Sequence, residues 1–189
     1  AAHYPSTLMK LPANGTGIAV FSRRASSLRI VSVGDPWCPA VVLTFPLSPG
    51  GERLAVYATH LASPMSASDA EARNRQLAAL GRRVASDPSA QKIVVGDLNI
   101  TRWSPWFRDL IAPADLRDAQ EGFGSWSTWP TVLTPWVGVA IDHTLISAGI
   151  EVIRRTVGPD VGSDHLPVVT IMAFPHAPAY EADDGDFSA

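Results

Sequence analysis

Seven side chains of potential chemical use sit in four short stretches of this 189-residue chain. YATHL (57–61) carries His60, VVGDLN (94–99) carries Asp97 and Asn99, AIDH (140–143) carries Asp142 and His143, and GSDHLPV (162–168) carries Asp164 and His165. Each stretch adjoins an apolar run. The types suit water attacking a phosphate ester. A carboxylate is a natural ligand for a hard divalent cation such as Mg2+. An amide orients water or a phosphate oxygen without adding negative charge. A histidine held by a buried aspartate is fixed in one tautomer and becomes a better base. A second histidine can bind the phosphate or stabilise its charge in the transition state. Metal, base and anion clamp together serve hydrolysis of a phosphodiester or monoester.

Taken singly, these residues have blander readings. An aspartate at a strand end is most often a turn former, and a lone histidine more often belongs to surface or core. His143 is expected to point away from Asp142 and serve structure. His3 and His176, in Pro-flanked terminal chain, are expected to be solvated. The tryptophans are assigned to packing before stacking, with Trp37, Phe45 and Tyr57 in the core. The chemical reading rests on the set of four compact polar groups. Asp97 and Asn99 project to one side if their segment stays extended. Asp164 and His165 are adjacent, so the turn implied by Gly162-Ser163 must aim them together.

Strands must deliver these groups. The likeliest are 17–23, 27–33, 40–45, 53–59, 92–97, 141–147, 150–157 and 166–174. PLSPGGE between the third and fourth reads as a hairpin loop. Pro36, Pro39, Pro46 and Pro49 are expected at strand ends or in loops, as a missing N–H requires. Residues 66–88 predict a helix, with Ser68 and Glu71 at capping-box spacing and Leu77, Leu80 and Val84 on one face. Asp87-Pro88 stops it. SPWFRDLI (104–111) predicts a short helix with Ser104 as N-cap and Pro105 at its first position. Residues 120–139, with Trp126, Trp129 and Trp136, read as loop. Strand dominance with inserted helices predicts a sandwich of sheets with helices outside.

The length suits one domain, read as 1–175, with an acidic tail at 176–189 expected to be disordered. Four acids of the net charge of -3 lie in that tail. The rest is close to neutral, so no broad basic footprint for nucleic acid is present. The single cysteine, Cys38, excludes an internal disulfide and a Cys-rich zinc site. No apolar run reaches the ~18 residues of a membrane-spanning helix.

The ordered set GTGIAVFSR, YATHL, VVGDLN, AIDHTLIS and GSDHLPV resembles the endonuclease/exonuclease/phosphatase family, over about Gly15 to Phe174. That resemblance implies a DNase I-like four-layer α/β sandwich of two mixed β-sheets flanked by helices. It implies a Mg2+ (or Mn2+) dependent phosphoric ester hydrolase with its site where strand ends meet. On these positions, Asp97 would position or activate the attacking water near the metal. Asn99 would hold a phosphate oxygen or that water. Asp164 would lie at the metal, and His165 would be base or phosphate contact, its ring oriented by Asp142. His60 would bind the phosphate and stabilise charge on departure of the leaving group. The Trp-rich loop, Trp129 included, would sit beside the site and receive an apolar group or a base.

Family members open with a strand ending in Asn and a later strand ending in Gln-Glu, whose Glu is the principal metal ligand. Residues 1–14 are too short for both, so the chain is expected to lack the opening βαβ portion and to expose a sticky sheet edge. The stretches GDLNITRWSPWFRDLI, LRDA and TWP are similar to a bacterial branch that often carries this domain behind membrane helices. By that likeness the domain would be extracytoplasmic and membrane-tethered only through a missing N-terminal segment. Lipid-linked phosphate, nucleic acid and small phosphoesters all stay open as substrates. A catalytically weak or inactive binding domain is the competing reading.

Overall fold

The computed structural model describes residues 3–10, 17–24, 26–133 and 137–174. Strands β1 (Ser6–Lys10) and β2 (Ile18–Ser22) form an antiparallel pair of their own. β3 (Ser27–Val33) and β4 (Asp35–Pro46) pair antiparallel across a one-residue turn at Gly34, and β4 pairs antiparallel with β5 (Arg53–Thr59). Helix α1 (Ala67–Ala85) then crosses over, so that β6 (Gln91–Asp97) lies parallel to β5. A parallel neighbour needs such a crossover, which a hairpin cannot supply. After α2 (Pro105–Ile111) come β7 (Leu116–Asp118) and β8 (Asp142–Ser147), antiparallel to each other, with β8 also antiparallel to β6. These six form one mixed sheet in the order β3-β4-β5-β6-β8-β7. β9 (Glu151–Val157) and β10 (Val168–Ala173) make a further antiparallel pair.

Alternation along the strands sends apolar groups to both faces of the central sheet. One face buries Val42, Tyr57, Val94 and Leu145 against Leu77, Leu80 and Val84 of α1 and Phe107 and Leu110 of α2. Each fully buried side chain of this size contributes roughly 1.5–3 kcal/mol. The other face buries Leu54, Ile93 and Ile146 with Ile150, and Val152 and Met172 of the β9–β10 pair pack on it. The expected second mixed sheet is therefore, among the described residues, a two-stranded antiparallel pair. The class is a mixed α/β fold with a central mixed sheet flanked by smaller sheets and helices.

Several local expectations are corrected. β1 was not anticipated, and β2 pairs with it. β7 is also new. Pro36 and Pro39 lie inside β4, not at its end. The ladder from β4 to β5 begins only at Ala40 opposite Thr59, so residues 35–39 have β3 alone as neighbour and a missing N–H there breaks no bond to β5. The N-cap of α1 is Ser66, whose extended backbone lets its hydroxyl accept from the Asp69 N–H at 3.2 Å; Ser68 and Glu71 are not the box. Ser104 is the N-cap of α2 but makes no side-chain capping bond, since Pro105 fixes the first turn. Trp37 is exposed and Phe45 only partly buried, while Tyr57 is core as expected. Trp103, Trp106, Trp126 and Trp129 are all substantially exposed, against their assignment to packing. The acidic tail, His176 and Trp136 lie outside the described residues. Among the described residues no helix is long and apolar enough to cross a membrane.

Asp87, just past α1, ties three elements together. Its Oδ2 accepts from the Tyr57 hydroxyl and from Arg29 Nη2 at 3.1 Å, and its Oδ1 accepts from the Ser89 N–H at 2.9 Å. Burial favours its neutral acid, but the Tyr57 and Ser89 bonds and the Arg29 charge outweigh that and hold its pKa below the ordinary carboxylate value. Asp87→Ala strands the Tyr57 hydroxyl and is expected to cost about 1–3 kcal/mol at neutral pH by urea denaturation. A depressed carboxylate pKa stabilises the fold above the unfolded value, about 4, and that stabilisation is lost as pH falls through the folded value. The gap between wild type and Asp87→Asn should therefore narrow on acidification; a gap that widens would contradict the assignment.

Candidate active site

Three strand ends meet at one edge of the central sheet. Parallel β5 and β6 bring their C-terminal ends, with His60 and Asp97, to the same side. Antiparallel β8 starts there with Asp142, directly opposite Asp97 in the register. Asp97 Oδ2 lies 3.4 Å from His60 Nε2 and 3.8 Å from His165 Nε2. His165 Nδ1 is 2.8 Å from Asp142 Oδ2. The expected residues His60, Asp97, Asn99, Asp164, His165 and Trp129 all line one cleft of about 550 Å3, and Asp142 stands behind His165.

Gly96 makes the edge possible. Its φ of +138° is a glycine conformation, and a Cβ there would lie 1.8 Å from the Thr59 carbonyl oxygen. Without a side chain, the backbone of β6 closes on the end of β5, and the Leu61 N–H reaches the Asp97 carbonyl at 3.0 Å. The strand stops at Asp97, so the extended geometry that would align Asp97 with Asn99 does not continue. Instead Asp97 Oδ1 accepts from the Asn99 N–H at 2.8 Å in an Asx turn, with Asn99 at a φ of +51°. Asn99 Nδ2 donates to Leu61 O at 3.0 Å and to Asp97 Oδ2 at 3.1 Å. Both amide hydrogens are thus engaged within the protein, and Asn99 braces the turn with them. Arg73 of α1, missed by the sequence reading, donates Nη1 to the Asn99 carbonyl and anchors the turn from the helix side.

His165 is carried by the loop between β9 and β10. Gly162 adopts φ +84° there, the turn that the glycine suggested. The loop is fastened to the Trp129 loop by Thr131 N–H to Asp164 O (2.9 Å), Thr131 Oγ1 to Ser163 O (2.9 Å) and Leu166 N–H to Thr128 O (2.8 Å). The Trp129 and His165 rings lie 6.5 Å apart between centroids. Asp164 is exposed at the cleft rim. His143 points away from Asp142, as alternation requires. It is buried on the helix face beside Phe107, with Nε2 donating to Ile100 O at 2.8 Å and Nδ1 at 3.5 Å from Asp118 Oδ2.

Burial raises the Asp97 pKa. The Asn99 N–H bond opposes the rise, the Asp142 charge adds to it, and His60 and His165 pull it down, leaving it above the ordinary aspartate value. Burial works against the charged His165, but the hydrogen bond and charge of Asp142, with Asp97 and Asp164 beyond, outweigh it and raise the His165 pKa.

Magnesium demands oxygen ligands in near-octahedral array. Among the described residues, no group of three or more His, Cys, Asp or Glu could hold a metal ion. Both Asp97 oxygens already accept bonds from Asn99. The described residues do not by themselves form a complete Mg2+ site.

A mixed α/β sheet with an Asp–His cluster on its strand-end edge defines a DNase I-like protein. The chain belongs to the endonuclease/exonuclease/phosphatase family, whose sequence model matches residues 2–165. The family's hydrolases act on phosphoesters and are generally dependent on a divalent metal. An endonuclease/exonuclease/phosphatase structure from Beutenbergia cavernae DSM 12333 is similar at 25% identity and TM-score 0.66, covering 87% of this chain and 49% of its own. This chain thus spans about half that relative's length. The catalytic domain of human Nocturnin, solved with a bound sulfate anion, matches at 17% identity and TM-score 0.63, over 83% of this chain and 63% of its own. A mannosyl-6-phosphatase from Bacteroides thetaiotaomicron VPI-5482 matches at 17% identity and TM-score 0.58, over 84% and 71%. The last two likenesses bear on fold alone. A search of curated protein sequences finds no match.

Proposed function

We propose that this chain hydrolyses a phosphate ester with water activated at the Asp97–His165–Asp142 cluster. The carrying observation is the 3.8 Å gap between Asp97 Oδ2 and His165 Nε2. That is too long for a direct hydrogen bond, yet one water can reach both atoms at ordinary bond lengths. Asp142 holds Nδ1 protonated, so Nε2 of neutral His165 is free to take a proton from that water. The water oxygen bonds to phosphorus, the bond from phosphorus to the leaving oxygen breaks, and the proton rests on Nε2. His60, on the other side of Asp97, faces the cleft and meets the charge that develops on the phosphoryl group. Asn99 acts by fixing the Asp97 carboxylate, a positioning role.

No step is routed through a metal. Mg2+ or Mn2+ dependence needs oxygen ligands beyond Asp97 and Asp164. Calorimetric titration of MgCl2 into the substrate-free chain is expected to show no saturable binding in the micromolar range. Tight stoichiometric binding would overturn the reading of the donor set. That no group of three or more His, Cys, Asp or Glu among the described residues could hold a metal ion also favours a second reading, a phosphate-binding domain without turnover. Release of nitrophenol from bis-p-nitrophenyl phosphate separates the two. Turnover that disappears in Asp97→Asn, at an unchanged melting temperature, supports hydrolysis; equal rates in both proteins would sink it.

A further inference from the structure

We infer that a second cavity, beside the cleft, binds the hydroxyl-bearing edge of a neutral sugar ring through Arg102, Trp103 and Glu121. Binding there needs no hydrolysis at the Asp97–His165 cluster. The cavity holds about 110 Å3 and lies where the chain just after the Asn99 turn meets the loop around Trp126. Thr101, Arg102, Trp103, Ser125 and Ser127 line it, and Val139 is shared with the cleft.

The polar groups here are unspent. Arg102 Nη2 lies 3.6 Å from Glu121 Oε1, beyond ordinary hydrogen-bond length. Among the described residues, the guanidinium and the hydroxyls of Thr101, Ser125 and Ser127 form no hydrogen bond. The guanidinium stands over the Trp103 ring, 5.4 Å from its centroid, which steadies the indole. Trp103 is 79% exposed, so its opposite face is open to a ligand.

These groups select the ligand by charge and by hydrogen-bonding type. The guanidinium donates in a planar fork, the carboxylate accepts, and the hydroxyls do either. A vicinal diol satisfies all three: its oxygens accept from Arg102 and a hydroxyl proton goes to Glu121. The carbon-bound hydrogens of a pyranose carry slight positive charge and lie well on the negative face of an indole. A phosphate or carboxylate fits worse, because Glu121 offsets the charge of Arg102 and repels an anion beside it. An apolar group would desolvate the guanidinium and carboxylate without replacing their water. A nucleobase offers a rigid edge of fixed donors and acceptors, which suits three rotating hydroxyls less well than a sugar does. The small cavity admits one edge of a ring, with the remainder over the indole.

The test is a titration of the whole chain, followed by the backbone amide signals of Ser125 and Ser127 in NMR spectra. The probes are the methyl pyranosides of glucose, mannose and galactose, their 2-deoxy forms, inorganic phosphate and adenosine. At least one methyl pyranoside is expected to shift both signals saturably, with a Kd of about 1 mM, the affinity of so small a ring at ordinary ligand efficiency. Its 2-deoxy form should bind more weakly. Arg102→Ala and Glu121→Ala should each weaken binding about tenfold or more, as loss of a charged hydrogen-bonding partner does. Trp103→Ala should remove it. All three positions are at least partly exposed, and an unchanged melting temperature by circular dichroism establishes that each variant is folded. No saturable shift with any pyranoside overturns the inference. So does tighter binding of phosphate or adenosine at the same signals, or sugar binding that survives Arg102→Ala undiminished. Turnover plays no part in the measurement, so the hydrolase reading and the sugar site stand or fall separately.

Discussion

His165→Ala is expected to lower kcat by about a hundredfold to ten-thousandfold, the usual worth of a positioned general base. KM should change far less, because the lost group acts on water. The pH profile adds a test that mere disruption would not pass. The base works only when neutral, and Asp142 and Asp97 lift its pKa above the ordinary histidine value of about 6.5. In wild type, kcat/KM should therefore rise with pH through an inflection above that value. Asp142→Asn removes the largest lifting influence, so its inflection should move to lower pH while its plateau falls. The two changes oppose each other on the acid side, which makes the pattern distinctive. A wild-type rate that falls on raising the pH through neutrality would assign His165 as a charged phosphate contact instead.

Gly96→Ala should have the largest effect on the fold. The added methyl meets the Thr59 carbonyl oxygen at 1.8 Å, against backbone that cannot swing aside as a side chain does. Its φ of +138° is in addition a conformation that L side chains rarely adopt. β5 and β6 must separate at the point where His60 and Asp97 converge. Losses above about 4 kcal/mol arise from combined clash and strain of this kind. The expected result is a chain recovered unfolded or melting far below wild type by circular dichroism. A G96A protein as resistant to urea as the parent would mean that the strand ends do not approach so closely.

The site was legible because its residues are chemically loud and its strands are long. His60, Asp97, Asp142 and His165 each adjoin an apolar run, and such runs betray their ends. What stayed hidden has physical causes. β7 has three residues and β1 five, too few for alternation to speak. β4 runs through two prolines because one of its flanks is unpaired there, which depends on where β5 happens to stop. The α1 cap lies two residues before the expected box because Ser66 and Ser68 are equally plausible by type; only backbone geometry decides. The apolar side of the cleft was least visible. Met65 and Val139 look like any core residue until neighbours fail to cover them. The turn at Asn99 was missed for a related reason: alternation is a rule for extended chain, and the chain bends one residue before the rule is needed.

The three bonds joining residues 128–131 to 163–166 splint two loops that are far apart in sequence. One loop carries Trp129, the other the His165 imidazole proposed as base. A rigid splint makes them travel as one piece. Under the proposed mechanism, a ligand that shoulders the indole aside must drag the base off its line, so a badly shaped guest silences the very group that would cut it.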